Sequence, residues 1–240
     1  MESFTANSAL QIEEISDEGD FVSIFEVCSK AFGEQTADGI WTTLNPGWDT
    51  VDGKRAGAAR MADDWRKTKS SGHKHYIKAS LDQRIVGVAI WVNTSLVEGC
   101  GHLPDPHDYT KLYPNDPSTA KFLAQILGSL TKNRTEVLQS KARDSTQKSV
   151  MTLDLCAVDP AYQRRGIANQ LVQWGLDEAK RLGDLEAVTE ASVMGRSVYK
   201  KMGFYDMGEI EYVLDEEFRS WSQPSNVFLR TKPELGGAMR

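Results

Sequence analysis

One segment constrains the fold of this 240-residue chain more than any other: the nearly uninterrupted apolar run SVMTLDLCAV, Ser149 to Val158. Such a run is typical of a β-strand that is covered on both faces. The polar stretch DPAYQRRG ends it, and apolar residues then recur at helical spacing from Ile167 to Leu182, where Gly183 predicts the helix end. A buried strand that passes directly into a helix predicts an α/β (α+β) chain.

The rest of the chain alternates predicted strands and helices, without internal repeats. A hairpin is predicted from His75–Leu81 and Arg84–Asn93, joined by Asp82 and Gln83. The other predicted elements are a strand over residues 9–16, a helix capped by Asp17 and ended by Gly33, a turn-rich loop over 34–53, an exposed helix over 54–72, an amphipathic helix over 117–143, a strand LEAVTEA, a helix capped by Ser192 and ended by Gly203, and strands near 204–217 and 226–233.

We expect a single domain over residues 1–240, with insertions at about 34–72 and 98–147. The helix predicted over 117–143 lies in the second insertion and has one apolar face. That face fits two roles: packing against the core, or covering a substrate cleft as a lid.

Composition disfavours several classes of function. The net charge is −6 and no long basic block occurs, so we expect no nucleic-acid partner. No window approaches eighteen uncharged apolar residues and the N-terminus lacks signal-peptide features, so we expect no membrane partner and a cytoplasmic protein. The three cysteines contain no CxxC pair and the four histidines lack metal-ligand spacing, which predicts neither a disulfide framework nor a metal site.

The segment between strand and helix, QRRGIA (Gln163 to Ala168), has the chemistry of an anion site. A strand that turns into a helix leaves N–H groups at the helix N-terminus without internal partners, and the helix dipole adds partial positive charge. Gly166 and the small Ala168 let a phosphate approach the backbone, and Arg164 and Arg165 add charge. Neither a Walker loop nor a dinucleotide fingerprint fits, because GxxxxGK[ST] is absent and only one glycine follows the strand.

The arrangement [QR]xxGx[GA], after a strand that ends in Val-x-Pro, resembles motif A of the GCN5-related N-acetyltransferase (GNAT) superfamily, whose loop holds the pyrophosphate of acetyl-CoA. About thirty residues on, EASVMGRSVYKKMGF supplies Tyr199, Gly203 and Phe204, similar to the family's short strand and tyrosine-bearing helix. The chain resembles standalone small-molecule members, particularly the fungal type ASxxGxxxYxKxGF, more than histone or ribosomal-protein enzymes. It departs from the family in the inserted helix and in EAS, where many members carry an Asn.

The resemblance implies the GNAT fold: a mixed central sheet of about seven strands with flanking helices. In it the strands SVMTLDLCAV and LEAVTEA are parallel neighbours that splay apart, and the pantetheine arm of acetyl-CoA lies in the opening. The positions that the resemblance implies for cofactor binding are Cys156, Ala157, Val158, Gln163, Arg164, Arg165, Gly166, Ile167, Ala168 and Ser192.

The same resemblance gives Tyr199 the role of proton donor to the departing CoA thiolate. A phenol pKa of about 10 lies above that of a thiol, so a tyrosine can donate a proton without being ionised at neutral pH. Plain packing on an amphipathic helix is the alternative role. Cys156 is expected to be a small wall residue instead of a nucleophile, because direct transfer needs no acyl-enzyme.

Two carboxylates are candidates for the general base that accepts the proton of the amine. Strand alternation predicts that Asp154 shares a face with Cys156 and Val158, while Leu153 points to the other face. A charge inside an apolar strand is costly unless it is paired or used, so Asp154 could bind the substrate ammonium or accept its proton. Glu190 is the competing carboxylate. Either could instead be the structural partner of an arginine.

The expected function is therefore acetyl-CoA-dependent N-acetylation of a small-molecule primary amine, by direct transfer in a ternary complex and without a metal. We expect a monomer or a homodimer. Two alternatives stay open. A protein or peptide N-acetyltransferase would share the motifs but present an open groove, and a non-catalytic acyl-CoA-binding member would keep the loop and lack turnover.

Overall fold

The protein is built on one seven-stranded mixed sheet. The structure, a computed structural model, describes residues 9–144 and 146–232; the N-terminal segment and the last residue of the final predicted strand lie outside this range. The strand order is β1-β2-β3-β4-β5-β7-β6. The strands are β1 (Gln11–Glu14), β2 (Lys74–Leu81), β3 (Arg84–Ser95), β4 (Ser149–Val158), β5 (Ala187–Ser192), β6 (Tyr205–Glu209) and β7 (Asn226–Arg230).

The described chain has seven α-helices, and five of them pack on the two faces of the sheet. The seven are α1 (Asp20–Cys28), α2 (Gly39–Leu44), α3 (Val51–Thr68), α4 (Pro117–Leu130), α5 (Lys132–Asp144), α6 (Ile167–Arg181) and α7 (Arg196–Lys201). The fold class and the mixed sheet predicted from the sequence are confirmed.

The central strand pair follows directly from the sequence pattern. β2 and β3 form the predicted hairpin, and the two turn residues Asp82 and Gln83 have φ values of 51° and 62°. Positive φ at both central residues is the hairpin geometry that matches the twist of the flanking strands. β4 pairs antiparallel with β3 and is buried at both ends, as its apolar run predicts.

One face of the sheet packs against α6 and α7. Gly175 lies against the indole of the fully buried Trp91, and a Cβ at this glycine would stand only 2.0 Å from the ring. The indole Nε1 of Trp91 donates a hydrogen bond to the carbonyl of Leu171 at 3.1 Å. The strand–helix unit is thereby fixed at close range.

The opposite face packs against α1, α3 and α5. Phe21, Phe25 and Trp65 form the aromatic centre of the α1 and α3 layer. α5 adds Val137 and Leu138, which contact Val150 and Val188. Neighbouring strand residues Met151 and Ala187 belong instead to the α6 layer, as expected where side chains alternate between faces.

β4 and β5 separate soon after they meet. Their parallel pairing is limited to Met151 with Ala187 and Thr152 with Val188. Just beyond it, the hydroxyl of Thr189 donates to the carbonyl of Leu153 at 3.0 Å. The predicted splay of these two strands is confirmed.

The first helical segment, α1 with the π-helix that follows it, extends past the end predicted at Gly33. Its N-cap is Gly19, whose N–H donates to the Asp17 carboxylate at 2.9 Å, so Asp17 supports the cap without occupying it. Gly33 does not end the helix, because the chain continues as a π-helix over Ser29–Gln35. The Trp48 ring fills the space where a side chain at Gly33 would lie.

The loop predicted over residues 34–53 contains a short helix, α2. The carboxylate of Asp38 caps this helix by accepting from the N–H of Trp41 at 2.9 Å. The helix over 54–72 begins earlier than predicted, as α3, with Thr50 as its N-cap. α2 was missed and the start of α3 was misplaced because single capping residues such as Asp38 and Thr50 also occur in turns, and the surrounding residues are typical of turns.

The helix predicted over 117–143 is two helices, with Thr131 at the break between α4 and α5. α5 packs on the sheet, whereas α4 packs on α2 and on residues 210–221. The buried apolar residues at this contact are Ile40, Phe122, Leu123, Ile126, Leu127 and Phe218. The two segments predicted to be insertions, 34–72 and 98–147, therefore contact each other through α2 and α4.

Candidate cofactor and acceptor site

The loop between β4 and α6 has an unusual backbone. Arg164 has φ 64°, Gly166 has φ 80° and forms the N-cap of α6, and Arg165 between them keeps a negative φ. Alternation of left- and right-handed residues turns successive N–H groups toward one concavity, which suits an anion. A Cβ at Gly166 would meet no described atom within 4 Å, so the loop is open on that side.

The loop is braced from both ends. The amide of Gln163 donates to the carbonyl of Val158 at 3.0 Å and to the Gln35 side chain at 2.8 Å. The Asp159 carboxylate accepts from the N–H of Ala161 at 3.0 Å. Gln163 thus connects the loop to the end of the π-helix, and its own amide is already engaged.

Positive charge lies on the outer side of the loop. Arg164 and Arg165 are exposed. The guanidinium of Arg165 lies 5.2 Å from the ring centroid of Tyr162, and that of Arg84 lies 5.5 Å from the same ring. Ile167 is buried in the core and Ala168 is partly buried, so these two residues present only backbone to a ligand.

The edge of β4 that faces β5 is unpaired beyond Thr152 in the described sheet. Cys156 is partly buried here, and Ala157 and Val158 are buried. Unpaired strand edges are bound by extended amide-containing ligands. The carbonyl of Val158 already accepts from Gln163, which leaves it one further lone pair.

Tyr199 lies on α7 beside this edge. The residue is 8 % exposed, and its hydroxyl lies next to the Cys156 thiol. Burial, with a smaller contribution from Cys156, raises the pKa of Tyr199 well above 10. Burial likewise raises the pKa of Cys156 to about 12, which disfavours a nucleophilic thiolate. The ring packs directly on Gly195, where a Cβ would approach it to 2.5 Å.

Ser192 is the last residue of β5, where it pairs with Asn226. The prediction that it caps the following helix is wrong, because the N-cap of α7 is Gly195. The carbonyl of Ser192 accepts from the N–H of Gly195 at 3.0 Å, which closes the turn between strand and helix.

Asp154 occupies a break in the strand register. Ile90 pairs with Leu155 and Trp91 pairs with Leu153, so Asp154 is the extra residue of a β-bulge. The bulge reverses the alternation of faces: Leu153 and Cys156 both belong to the α6 layer. The prediction that Asp154 shares a face with Cys156 is therefore wrong, and its carboxylate is directed to α5 on the opposite face.

One arginine binds both candidate carboxylates. Arg134 of α5 donates through Nη1 to Asp154 Oδ1 at 2.6 Å and through Nε to Glu190 Oε1 at 3.0 Å, and its Nη2 contacts Glu190 Oε2. The Arg134 side chain is 14 % exposed, that of Glu190 4 % and that of Asp154 35 %. Burial disfavours the charged guanidinium, but attraction to the two carboxylates outweighs it and raises the pKa of Arg134.

Sequence reasoning missed Arg134. Two carboxylates inside apolar strands predict a buried cation nearby. Arg134 precedes Asp154 by twenty residues and lies in the second predicted insertion, where no motif distinguishes it from the other cations of that segment.

The second insertion reaches this region as well. The ring of His107 is hydrogen-bonded through Nδ1 to the Tyr109 hydroxyl at 3.4 Å and through Nε2 to the Thr131 hydroxyl at 3.2 Å. Burial and the nearby Arg134 lower the pKa of His107, while Asp105 opposes them. No group of three or more His, Cys, Asp or Glu residues within 9–144 and 146–232 is placed to hold a metal ion, and no helix in those ranges is long and apolar enough to cross a membrane.

The sequence model of the Acetyltransferase (GNAT) family matches residues 39–204, which is most of the chain. Comparison with curated protein sequences gave no significant match.

Solved structures share the fold at low sequence identity. A mosquito arylalkylamine N-acetyltransferase, like 5b, is 15 % identical with a TM-score of 0.60, over 92 % of this chain and 99 % of that one. A Corynebacterium glutamicum protein named histone acetyltransferase HPA2 and related acetyltransferase is 18 % identical with a TM-score of 0.53, over 96 % and 99 %. The yncA acetyltransferase of Salmonella typhimurium, a structure that contains acetyl-CoA, is 13 % identical with a TM-score of 0.51, over 96 % and 97 %. With the family match over residues 39–204, the splayed β4 and β5 and the loop at Gly166, the chain belongs to the GNAT acetyltransferase family.

Proposed function

We propose that this protein is an N-acetyltransferase that transfers the acetyl group of acetyl-CoA directly to a small-molecule primary amine. One observation carries the proposal: the unpaired edge of β4 leads into the left-handed loop at Gly166, and Tyr199 stands beside that edge. Acetyl-CoA has one part for each feature: its amide-rich arm suits the strand edge, its diphosphate suits the loop, and its thioester would lie beside Tyr199. The acetyl-CoA contained in the Salmonella typhimurium structure supports the choice of cofactor.

The cofactor would be held mainly by backbone. The pantetheine amides would bind the edge formed by Cys156, Ala157 and Val158, and the diphosphate would accept from the N–H groups of residues 164–168. Backbone donors at a helix N-terminus bind phosphate without a matching side chain. Arg164 and Arg165 would add attraction at the exposed side of the loop. Gln163 would act indirectly, by fixing the loop, and Ser192 by closing the turn that precedes α7.

Tyr199 would complete the reaction on the thiol side. When the amine nitrogen attacks the thioester carbonyl, a C–N bond forms and the C–S bond breaks. The CoA sulfur then takes a proton from the Tyr199 hydroxyl, the new amide nitrogen loses its extra proton through water to Asp154, and solvent returns a proton to Tyr199. Because burial raises the pKa of Tyr199, its hydroxyl is protonated at neutral pH and can stabilise the forming thiolate as a hydrogen-bond donor before the proton moves.

The amine would approach from the opposite face. Asp154 is directed to the α5 face, whereas Cys156 and Tyr199 lie in the α6 layer. Asp154 keeps Oδ2 without a hydrogen bond or ion pair to the described residues, so this oxygen can bind the ammonium or, through water, accept its proton. Both oxygens of Glu190 are engaged by Arg134, which makes Glu190 the weaker candidate.

The insertions favour a small acceptor. α2 and α4 pack together through Ile40, Phe122 and Phe218 in place of extending outward. Tyr212 lies among them, and burial, with Asp38 and Glu190 nearby, raises its pKa. Apolar and aromatic walls with few charged anchors are typical of small-molecule sites.

An acceptor screen tests the proposal. Purified protein and acetyl-CoA are mixed with 2-phenylethylamine, butane-1,4-diamine or a lysine-containing tetrapeptide, and free CoA is measured with a thiol reagent. Thiol release with either small amine, and acetylated amine by mass spectrometry, is the expected result. Release with the peptide alone would identify a peptide acetyltransferase. Binding of acetyl-CoA with no release for any amine would identify a non-catalytic member.

A further inference from the structure

The guanidinium of Arg134 is the one group that joins the second insertion to the opening between β4 and β5 through ion pairs in the described chain. It reaches Asp154 on β4 at 2.6 Å and Glu190 on β5 at 3.0 Å. Parallel pairing of these strands has already ended at Thr152 and Val188. Arg134 therefore bridges the strands where backbone hydrogen bonds no longer do.

The three donors of Arg134 are distributed unequally. Two of them, Nε and Nη2, bind both oxygens of Glu190, which is buried. A bidentate arginine–carboxylate pair fixes the orientation of the guanidinium plane. The remaining donor, Nη1, binds Asp154 Oδ1 and fixes the rotation of that carboxylate. The buried pair thus serves as an anchor, and Asp154 is the carboxylate that the anchor orients.

The negative charge of Asp154 is only partly balanced by Arg134, which also pairs with Glu190. One guanidinium faces two carboxylates, so the group of three carries a net charge of −1. Nearby charged and titratable groups from neighbouring segments are His107 and Asp105 of the second insertion, Tyr76 on β2 close to Asp154, and Tyr212 beside Glu190. Asp154 is the most exposed of the three partners, at 35 % of its side chain. An amine that enters the opening would meet its free Oδ2 first.

We propose that Arg134 is a positioning residue for acetyl transfer: held by Glu190, it orients Asp154 toward the ammonium group of the acceptor. The proposal rests on the proposed function and deepens it. The second insertion would then contribute to the site by a route other than the lid considered from the sequence. Its helix α5 would supply Arg134, which sets the direction from which the amine approaches.

The test compares Arg134→Gln, Arg134→Lys and Asp154→Asn with the wild type, using whichever of 2-phenylethylamine and butane-1,4-diamine reacts faster. We expect Arg134→Gln to lower kcat/KM for the amine about 10- to 100-fold, as a small misplacement of a reacting group does. The KM for acetyl-CoA should change less than about twofold, since no cofactor contact is altered. Arg134→Lys should recover part of the loss, because it restores the charge without the bidentate geometry.

Two controls separate positioning from damage to the fold. Lys132 begins the same helix, is exposed and forms no ion pair with the described residues, so Lys132→Gln should leave kcat/KM unchanged. The slow hydrolysis of acetyl-CoA by water needs no ammonium contact, so Arg134→Gln should keep the wild-type hydrolysis rate.

The double variant Arg134→Gln/Asp154→Asn decides the route of the effect. If Arg134 acts through Asp154, the double variant should be no slower than the slower single variant. Additive losses, or an unchanged kcat/KM in Arg134→Gln, would overturn the proposal while the acetyltransferase activity stands. A wild type that acetylates neither amine would overturn the proposed function, and this inference with it.

Discussion

The phenol of Tyr199 is the proposed proton donor, and its buried position keeps the hydroxyl protonated. Its burial raises the pKa well above 10, and the packing of its ring on Gly195 sets the direction of the hydroxyl. The Cys156 thiol lies next to this hydroxyl, on the side where we propose that the CoA sulfur binds. The backbone at Gly166 and Arg164 contributes in a different way, through conformations that few residues adopt.

Tyr199→Phe should lower kcat about 100-fold and leave the KM for acetyl-CoA nearly unchanged, because only the proton donor is removed. The steady-state rate against amine and acetyl-CoA concentration measures both parameters. Tyr205→Phe is the matched control, since Tyr205 is 58 % exposed on β6. Equal kcat in Tyr199→Phe and wild type would remove Tyr199 from the mechanism.

The pH dependence follows from the same burial. A donor fails when pH rises through its pKa, and the raised pKa of Tyr199 moves that loss upward. We expect kcat to show no descending limb up to about pH 10, where an ordinary tyrosine would already be half ionised. A fall in kcat with its midpoint at or below about pH 10, absent from Tyr199→Phe, would contradict the assigned pKa direction.

Gly166→Ala should weaken the use of acetyl-CoA. At φ 80° an alanine costs about 1–2 kcal/mol, and relaxation of the loop would turn away the N–H groups that we propose bind the diphosphate. We expect the KM for acetyl-CoA to rise about tenfold, the size of a lost hydrogen bond to a charged group. Gly183 has φ 98° and similar open space, so Gly183→Ala should lose stability alone. A KM that rises equally in both variants would argue against a phosphate role for the loop.

Strands and helices were predicted with uneven success, and the reasons are physical. β4 was bounded correctly because its apolar run ends at a proline, and the hairpin because Asp82 and Gln83 separate two apolar runs. The break at Thr131 was missed because no proline or glycine lies there, and Val137 follows Leu130 at a helical spacing of seven residues. The bulge at Asp154 was missed because it depends on the register of β3, which a single strand does not encode.

The close contact of α6 with β3 makes a prediction about stability. Gly175→Ala would place a methyl group against the Trp91 ring, and we expect a loss of about 1–3 kcal/mol in the free energy of unfolding. Gly128 in α4 is the opposite case, because among the described residues a Cβ there would come within 4 Å of His107 alone, at 3.9 Å. Gly128→Ala should gain about 0.5–1 kcal/mol from helix propensity. Denaturant unfolding measures both, and a stabilised Gly175→Ala would contradict the packing.

The molecule as a whole separates two tasks across one opening in the sheet. The α6 face holds the loop at Gly166 and Tyr199, and these features were recognisable from sequence because each lies in a short continuous motif. The α5 face holds Asp154, Glu190 and Arg134, and this arrangement was not recognisable, because it joins an insertion to two strands. The family resemblance covers the first set and not the second.

The most direct test is a crystal structure of the protein with CoA bound. Diphosphate oxygens should lie about 3 Å from the N–H groups of residues 164–168, with the pantetheine along the unpaired edge of β4 and the sulfur in contact with the Tyr199 hydroxyl. A diphosphate bound elsewhere, or a sulfur remote from Tyr199, would contradict this account of how the protein uses its cofactor.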